Sequence, residues 1–172
     1  MPLALANTAP SAARVGDLMV SKMYAGDTQV FPSFMPVSMN KSGTTAQFGT
    51  SYSQVLGWVA DTANYPGSAV VSDDLICTTG VTNGTISVSV QFENTSFTGG
   101  KTVTMQLKVG TTPVGSFTSN SILRGTPQVV AWSVSGLVIP AGAAIRLEAL
   151  ASATSAVSAT NNSASYVRVT QA

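Results

Sequence analysis

The 172-residue sequence contains no histidine. That removes the commonest general base near neutral pH and the commonest metal ligand. A single cysteine, Cys77, permits neither an internal disulfide nor a cysteine-based metal site. Its neighbours Leu75 and Ile76 mark it as a buried thiol rather than a nucleophile. Charge is scarce: 9% of residues are charged, against about 25% in ordinary soluble domains. The acids are Asp17, Asp27, Asp61, Asp73, Asp74, Glu93 and Glu148. A hydrolase needs a nucleophile with a base, or two placed carboxylates. Glu93 and Glu148 are the pair to weigh, and the strand pattern puts both at solvent-facing or strand-end positions, as surface charge. Asp61 and Asp73-Asp74 lack the dense acidic spacing of a calcium loop and read as turn chemistry. No catalytic residue, metal or cofactor is expected, and the chain does not read as an enzyme.

The cations Arg14, Lys22, Lys41, Lys101, Lys108, Arg124, Arg146 and Arg168 are scattered, and the net charge is +1. Without a basic run there is nothing to follow a phosphate backbone, so nucleic acid is not an expected partner. No segment approaches the roughly 18 unbroken apolar residues of a membrane span. The apolar run Pro2–Ala6 is too short for a secretory signal, and no Lys or Arg precedes it. The expectation is a chain that stays in the cytoplasm where it is made or is assembled there. The missing charge is replaced by Ser, Thr, Asn and Gly, while 44% of residues are hydrophobic. Such a chain suits β structure whose surface is largely covered by neighbours, because solubility alone usually leans on charge.

What is present is alternation. In Thr102–Val109, TVTMQLKV, Val103, Met105, Leu107 and Val109 alternate with Thr102, Thr104, Gln106 and Lys108. That period of two gives a strand with one apolar face. The following GTTPVG is a turn, and Val114–Phe117 can pair back as a hairpin. Further strands are expected at Gln54–Ala60 with Trp58 as anchor, Ser68–Ser72, Leu75–Thr78, Thr85–Phe92, Gln128–Ser135, Ala144–Leu150 and Ser165–Val169. Turns fall at Asp61–Gly67, Asn83-Gly84, Thr98–Gly100 and Ile139–Gly142. In Gln128–Ser135 both faces carry apolar residues, so cover on both sides is expected. Ala151–Asn162 reads as a loop. About eight short strands with a turn signal every 8–12 residues predict an all-β fold, an antiparallel sandwich, jelly roll or barrel. The last strand is expected centrally in a sheet.

The first fifty residues differ. Residues 1–16 read as an extended arm, and 17–32 as a small hairpin turning at Ala25-Gly26-Asp27. Residues 33–51 read as a connector, with the domain boundary near Thr50: an arm, hairpin and connector over 1–50 and a β domain over 51–172. Met19, Met23, Tyr24, Phe31 and Phe34 make the first region sticky and adaptable, either as an attachment surface or as a lid over the core. In the β domain, Asn64, Tyr65, Asn94, Asn120 and Arg124 are loop residues able to stack on or hydrogen-bond a sugar.

Trp58-Val-Ala-Asp61, Tyr65-Pro-Gly67, Leu75 and Gly80, the strand 85–92, LKVGTTPVGS at 107–116, SGLVIPAGAAIRLEAL at 135–150 and SYVRV at 165–169 occur in an order that resembles a known module. It is the C-terminal C1q/TNF-like jelly roll of actinobacteriophage minor tail and other virion proteins. Lys22–Pro32 resembles a short element near the N-termini of such proteins. Where those modules often carry Gly-Asp, this chain has Gly142-Ala143. The resemblance implies an antiparallel jelly-roll sandwich, a homotrimer, and a virion location on tail or capsid surface after assembly in the host cytoplasm. Tyr166, Phe117 and Phe97 are the aromatic candidates for the trimer seam, the alternative being the core of one subunit. Three readings stay open: a structural virion protein (minor tail or capsid decoration) bound to other virion proteins through its N-terminal region, a module that binds host-surface glycan, and a cellular C1q/TNF-like or carbohydrate-binding domain.

Overall fold

The computed structural model describes residues 34–154 and 156–172, and the backbone of four short strands ahead of them. These four are β1 (Ala13–Val15), β2 (Leu18–Val20), β3 (Tyr24–Ala25) and β4 (Thr28–Gln29). Pairing of β3 with β4 places a hairpin around the expected turn, but Leu18–Val20 pairs with Ala13–Val15 instead of with the returning strand. Part of the expected arm, Ala13–Val15, is therefore strand.

The remaining elements are β5 (Val37–Lys41), β6 (Ser53–Gln54), β7 (Trp58–Ala60), β8 (Ala69–Val71), β9 (Asp74–Cys77), β10 (Val81–Asn94), β11 (Val103–Val109), β12 (Thr112–Thr118), β13 (Gln128–Ile139), β14 (Ala143–Ala151), β15 (Val157–Ala159) and β16 (Tyr166–Gln171). They form two antiparallel sheets. One runs β13-β10-β16-β5-β7, with β15 also on β10; the other runs β12-β11-β14-β9-β8, with β6 on β14. Among the described residues there is no helix. The chain is an antiparallel jelly-roll sandwich.

Alternation builds the core. Ile86, Val88, Val90 and Phe92 of β10 meet Val103, Met105 and Leu107 of β11 and Ile145 and Leu147 of β14, all buried between the sheets. Phe92 and Phe48 pack edge to face, 6.1 Å between ring centres. The hairpin 102–118 forms as expected, with Met105 opposite Phe117 and Thr104 opposite Thr118, and β16 sits in mid-sheet between β10 and β5.

Four expectations change. The connector contributes β5, whose residues pair with β16 and β7, and Phe34 and Phe48 are core residues. The sandwich as described therefore begins at Phe34, ahead of the boundary expected near Thr50. The strand expected over 54–60 is two strands in different sheets: β6 pairs with β14 and β7 with β5. The chain crosses at Val55–Gly57, where Gly57 adopts φ +81°, a conformation that side chains with a Cβ rarely take. The expected turn at Asn83-Gly84 is a bulge inside β10. The expected loop 151–162 contains β15, paired with the end of β10.

The sandwich closes along one side where the edge strands β12 and β13 meet. The ring of Phe117 stacks on Trp132, 6.2 Å centre to centre. A Cβ at Gly115 would lie 2.6 Å from Val134 Cγ2, so only glycine lets the two edges approach this closely. Outward-facing Val129 and Ala131 of β13 are exposed, and the described residues do not supply the expected second cover.

Candidate functional site

Charged side chains in this chain are mostly spent on holding it together. On the outer face of the sheet containing β11 and β14, Lys108 Nζ lies 2.7 Å from Glu148 Oε2. Arg146 grips Asp74 through both oxygens, at 2.9 and 2.8 Å. Those bonds hold the Arg146 guanidinium still further above its ordinary range. Glu148 is nearly buried, not solvent-facing, because Lys108 covers it and β6 pairs alongside it. Glu93 belongs to the other sheet.

The turn between β8 and β9 has two central residues, Ser72 (φ 50°) and Asp73 (φ 63°), the backbone of a type I′ hairpin. Its geometry aims Asp73 Oδ1 at the amides of Gly57 and Trp58, which donate to it at 2.7 and 2.8 Å. Beside it, Lys41 is buried and donates from Nζ to the carbonyls of Gly43 and Leu56. Burial pushes its ammonium down to about 8, against the opposing pull of Asp73. Asp61 accepts from the Asn64 side chain at 3.0 Å. The three turn aspartates thus serve separate partners. Burial pushes the Cys77 thiol up to about 11, as suits a protonated core group.

A different arrangement occurs where β10 ends. Asn94, its last residue, is fully buried. Its Nδ2 donates to the carbonyls of Ile122 (2.9 Å) and Gly99 (3.2 Å), and its Oδ1 accepts from the Ser96 amide at 2.8 Å. Its backbone carbonyl accepts from Gly125 at 3.1 Å. One side chain therefore ties the loop after β10 to the loop between β12 and β13. Between them lies an open cleft of about 400 Å³ lined by Glu93, Asn94, Thr95, Arg124 and Gly125. The Arg124 guanidinium lies 3.9 Å from the centre of the Phe97 ring, and that ring is 85% exposed. Gln47 fixes Thr95 through a 2.7 Å hydrogen bond between side chains.

The structure brings together two of the five expected loop contacts, Asn94 and Arg124. Arg124 is exposed. Asn94 is corrected: with no accessible surface it shapes the cleft rather than touching a ligand with its side chain. Asn120 lines a smaller cleft of about 150 Å³ with Phe117 and Val129. Tyr65 and Asn64 lie elsewhere, Tyr65 against Arg168, whose guanidinium is stacked between Tyr65 (4.8 Å) and Tyr166 (4.6 Å). Glu93 and Phe97 escaped the sequence reading as ligand contacts; the available signal was an aromatic residue alone in a run of hydroxyls and glycines. Of the expected attachment residues, Phe34 is 3% exposed and belongs to the core, because it precedes β5 rather than a free connector. Met23 and Phe31 lie outside the described residues, and Met19 and Tyr24 fall in strands of which only the backbone is described. Tyr166 is half-buried, Phe117 is 40% exposed and Phe97 more so, so none of the three seam candidates fills the core.

No protein-family model and no curated protein matches the chain. Among solved structures it is similar to Eiger TNF from S. frugiperda, with a TM-score of 0.58 at 11% identity over 82% of this chain and 94% of that one. It also matches murine APRIL (TM-score 0.49, 11% identity, 80% of this chain and 98% of that). A third match is the infectious bursal disease virus Gt strain structure (TM-score 0.44, 14% identity, 93% and 37%). The Eiger match shows a shared fold, the TNF-like jelly roll.

Proposed function

We propose that the chain is a non-catalytic structural protein of a bacteriophage virion, of the minor-tail kind. Its N-terminal region attaches to the particle, and its jelly roll assembles as a homotrimer. The observation that carries the assembly is the pair of edges β12 and β13. Neither Thr112–Thr118 nor Gln128–Ile139 contains a charged residue. Sheet edges are normally guarded by charge, proline or cover; here Pro113 near the start of β12 is the one such residue in either strand. These two lie side by side and expose Phe117 (40%), Val129 (46%) and Val138 (71%). A strip of that kind is suited to burial against further copies of the chain, and low overall charge fits a surface that neighbours cover. The TNF-like fold and the sequence resemblance to tail-protein modules support the same reading. Capsid decoration is the second placement for such a subunit.

Light scattering on the full chain should give the mass of three subunits; a monomeric mass overturns the assembly. Deleting residues 1–32, all of which precede the sandwich, should abolish incorporation into particles while leaving that mass a threefold multiple. Incorporation of the truncated chain at the normal level would remove the attachment role.

A further inference from the structure

The cleft at the end of β10 brings together a carboxylate and a guanidinium that, among the described residues, neither pair with an opposite charge nor hydrogen-bond to the protein through their side chains. Among the described residues, Asp61 is engaged by Asn64, Asp73 by two backbone amides, Asp74 by Arg146 and Glu148 by Lys108. Glu93 alone among those carboxylates forms no ion pair or side-chain hydrogen bond there, and the Arg124 guanidinium stacks on Phe97 without donating to a protein acceptor. An ionised carboxylate only accepts and a guanidinium only donates. Placed in one open cleft of about 400 Å³, within the range of small-molecule sites, they suit a ligand whose groups both donate and accept. Sugar hydroxyls do this.

We infer that the Glu93–Arg124 cleft binds neutral carbohydrate. Neighbouring hydroxyls of one pyranose donate to the Glu93 carboxylate and accept from Arg124, while the C–H face of a sugar ring covers the exposed surface of Phe97. One negative and one positive group cancel, so an acidic sugar gains at Arg124 what it loses at Glu93. Asn94 and Gln47 fix the walls before any ligand arrives, which spares the ordering cost of two loops. The site belongs to a single chain and stands apart from the virion reading; three copies in one assembly would raise weak single-site binding by multivalency.

The test uses the intact protein labelled with ¹⁵N. It is titrated with neutral oligomers of glucose, galactose, mannose and N-acetylglucosamine and, in parallel, with sialyllactose and oligogalacturonate. A neutral oligomer should give saturable shifts centred on residues 93–97 and 124–125. Arg124→Ala and Glu93→Gln should each weaken it at least tenfold, with melting temperatures within about 2 °C of the parent because neither side chain is hydrogen-bonded to the protein. The inference is overturned if no neutral oligomer binds, if binding survives both substitutions, or if only the acidic sugars bind and Glu93→Gln strengthens them. A trimer that binds no sugar removes this inference alone; a monomer that binds one removes the assembly and leaves the cleft.

Discussion

Asn94→Ala should destabilise the protein by about 3 kcal/mol and abolish the cleft. The substitution deletes a fully buried amide that makes three hydrogen bonds. It leaves the carbonyl of Gly99 and the amide of Ser96 without partners, and the carbonyl of Ile122 with only its bond from the Lys101 amide. A net hydrogen bond is worth about 1 kcal/mol, and a buried orphan group costs about 1–3 kcal/mol, so three losses that water partly relieves set the scale. Denaturant unfolding measures it as a lower midpoint at unchanged slope. Asn94→Asp separates the two halves of the amide: it keeps an acceptor for Ser96 but turns a carboxylate toward two carbonyls, and should cost at least as much. A loss below about 1 kcal/mol for Asn94→Ala would mean that the Asn94–Gly125 and Lys101–Ile122 backbone bonds hold the loops unaided.

Asp73→Ala should cost about 3 kcal/mol near pH 7 and less at high pH. Two backbone amides lose a charged acceptor, worth roughly 1.5–3 kcal/mol per bond at full burial and less at this half-exposed turn. Alanine must also hold φ 63°, which costs about 1–2 kcal/mol. The pH dependence comes from Lys41. Its ammonium is pushed to about 8 in the folded chain from an ordinary 10.5. Between those values the unfolded chain holds the extra proton, so this group makes stability rise with pH across the window; below about 8 the whole penalty of burying the charge is present. Asp73 opposes that penalty. Its removal pushes Lys41 lower still, so the rise begins at a lower pH in the variant. Once Lys41 is neutral in both proteins the charge term vanishes, and the gap between their melting temperatures should narrow from pH 7 to pH 10. A gap independent of pH would show that Asp73 acts only through the two amides.

Much of the sandwich was legible because one face of each long strand is wet. In β11 Val103, Met105 and Leu107 are buried, and Thr104, Gln106 and Lys108 between them and after them stay half-exposed. Strand β5 was not legible for the opposite reason. Val37, Ser38, Met39 and Lys41 are all buried, so no alternation survives, and its serine and lysine read as connector. Lys41 finds one acceptor nearby, the carbonyl of Gly43, but the other, the carbonyl of Leu56, is brought to it by the chain crossing from fifteen residues away. The same limit hid the cleft. Arg124 was recognisable as a loop cation, but its neighbour Glu93 lies thirty-one positions earlier, and only the bracket formed by Asn94 joins them. A short polar residue at a strand end looks alike in sequence whether it faces water or ties two loops.

The position of β16 also sets when the protein can fold. Its partners are β10 on one side and β5 on the other, so residues 37–41 have no central neighbour until residues 166–171 have left the ribosome. The sheet built on β11 and β14 closes earlier, from residues 53 to 151. A nascent chain therefore carries one nearly finished sheet and one split sheet with its apolar faces open, and pairing over such separations is slow. Stalling translation before Tyr166 should leave a protease-sensitive chain.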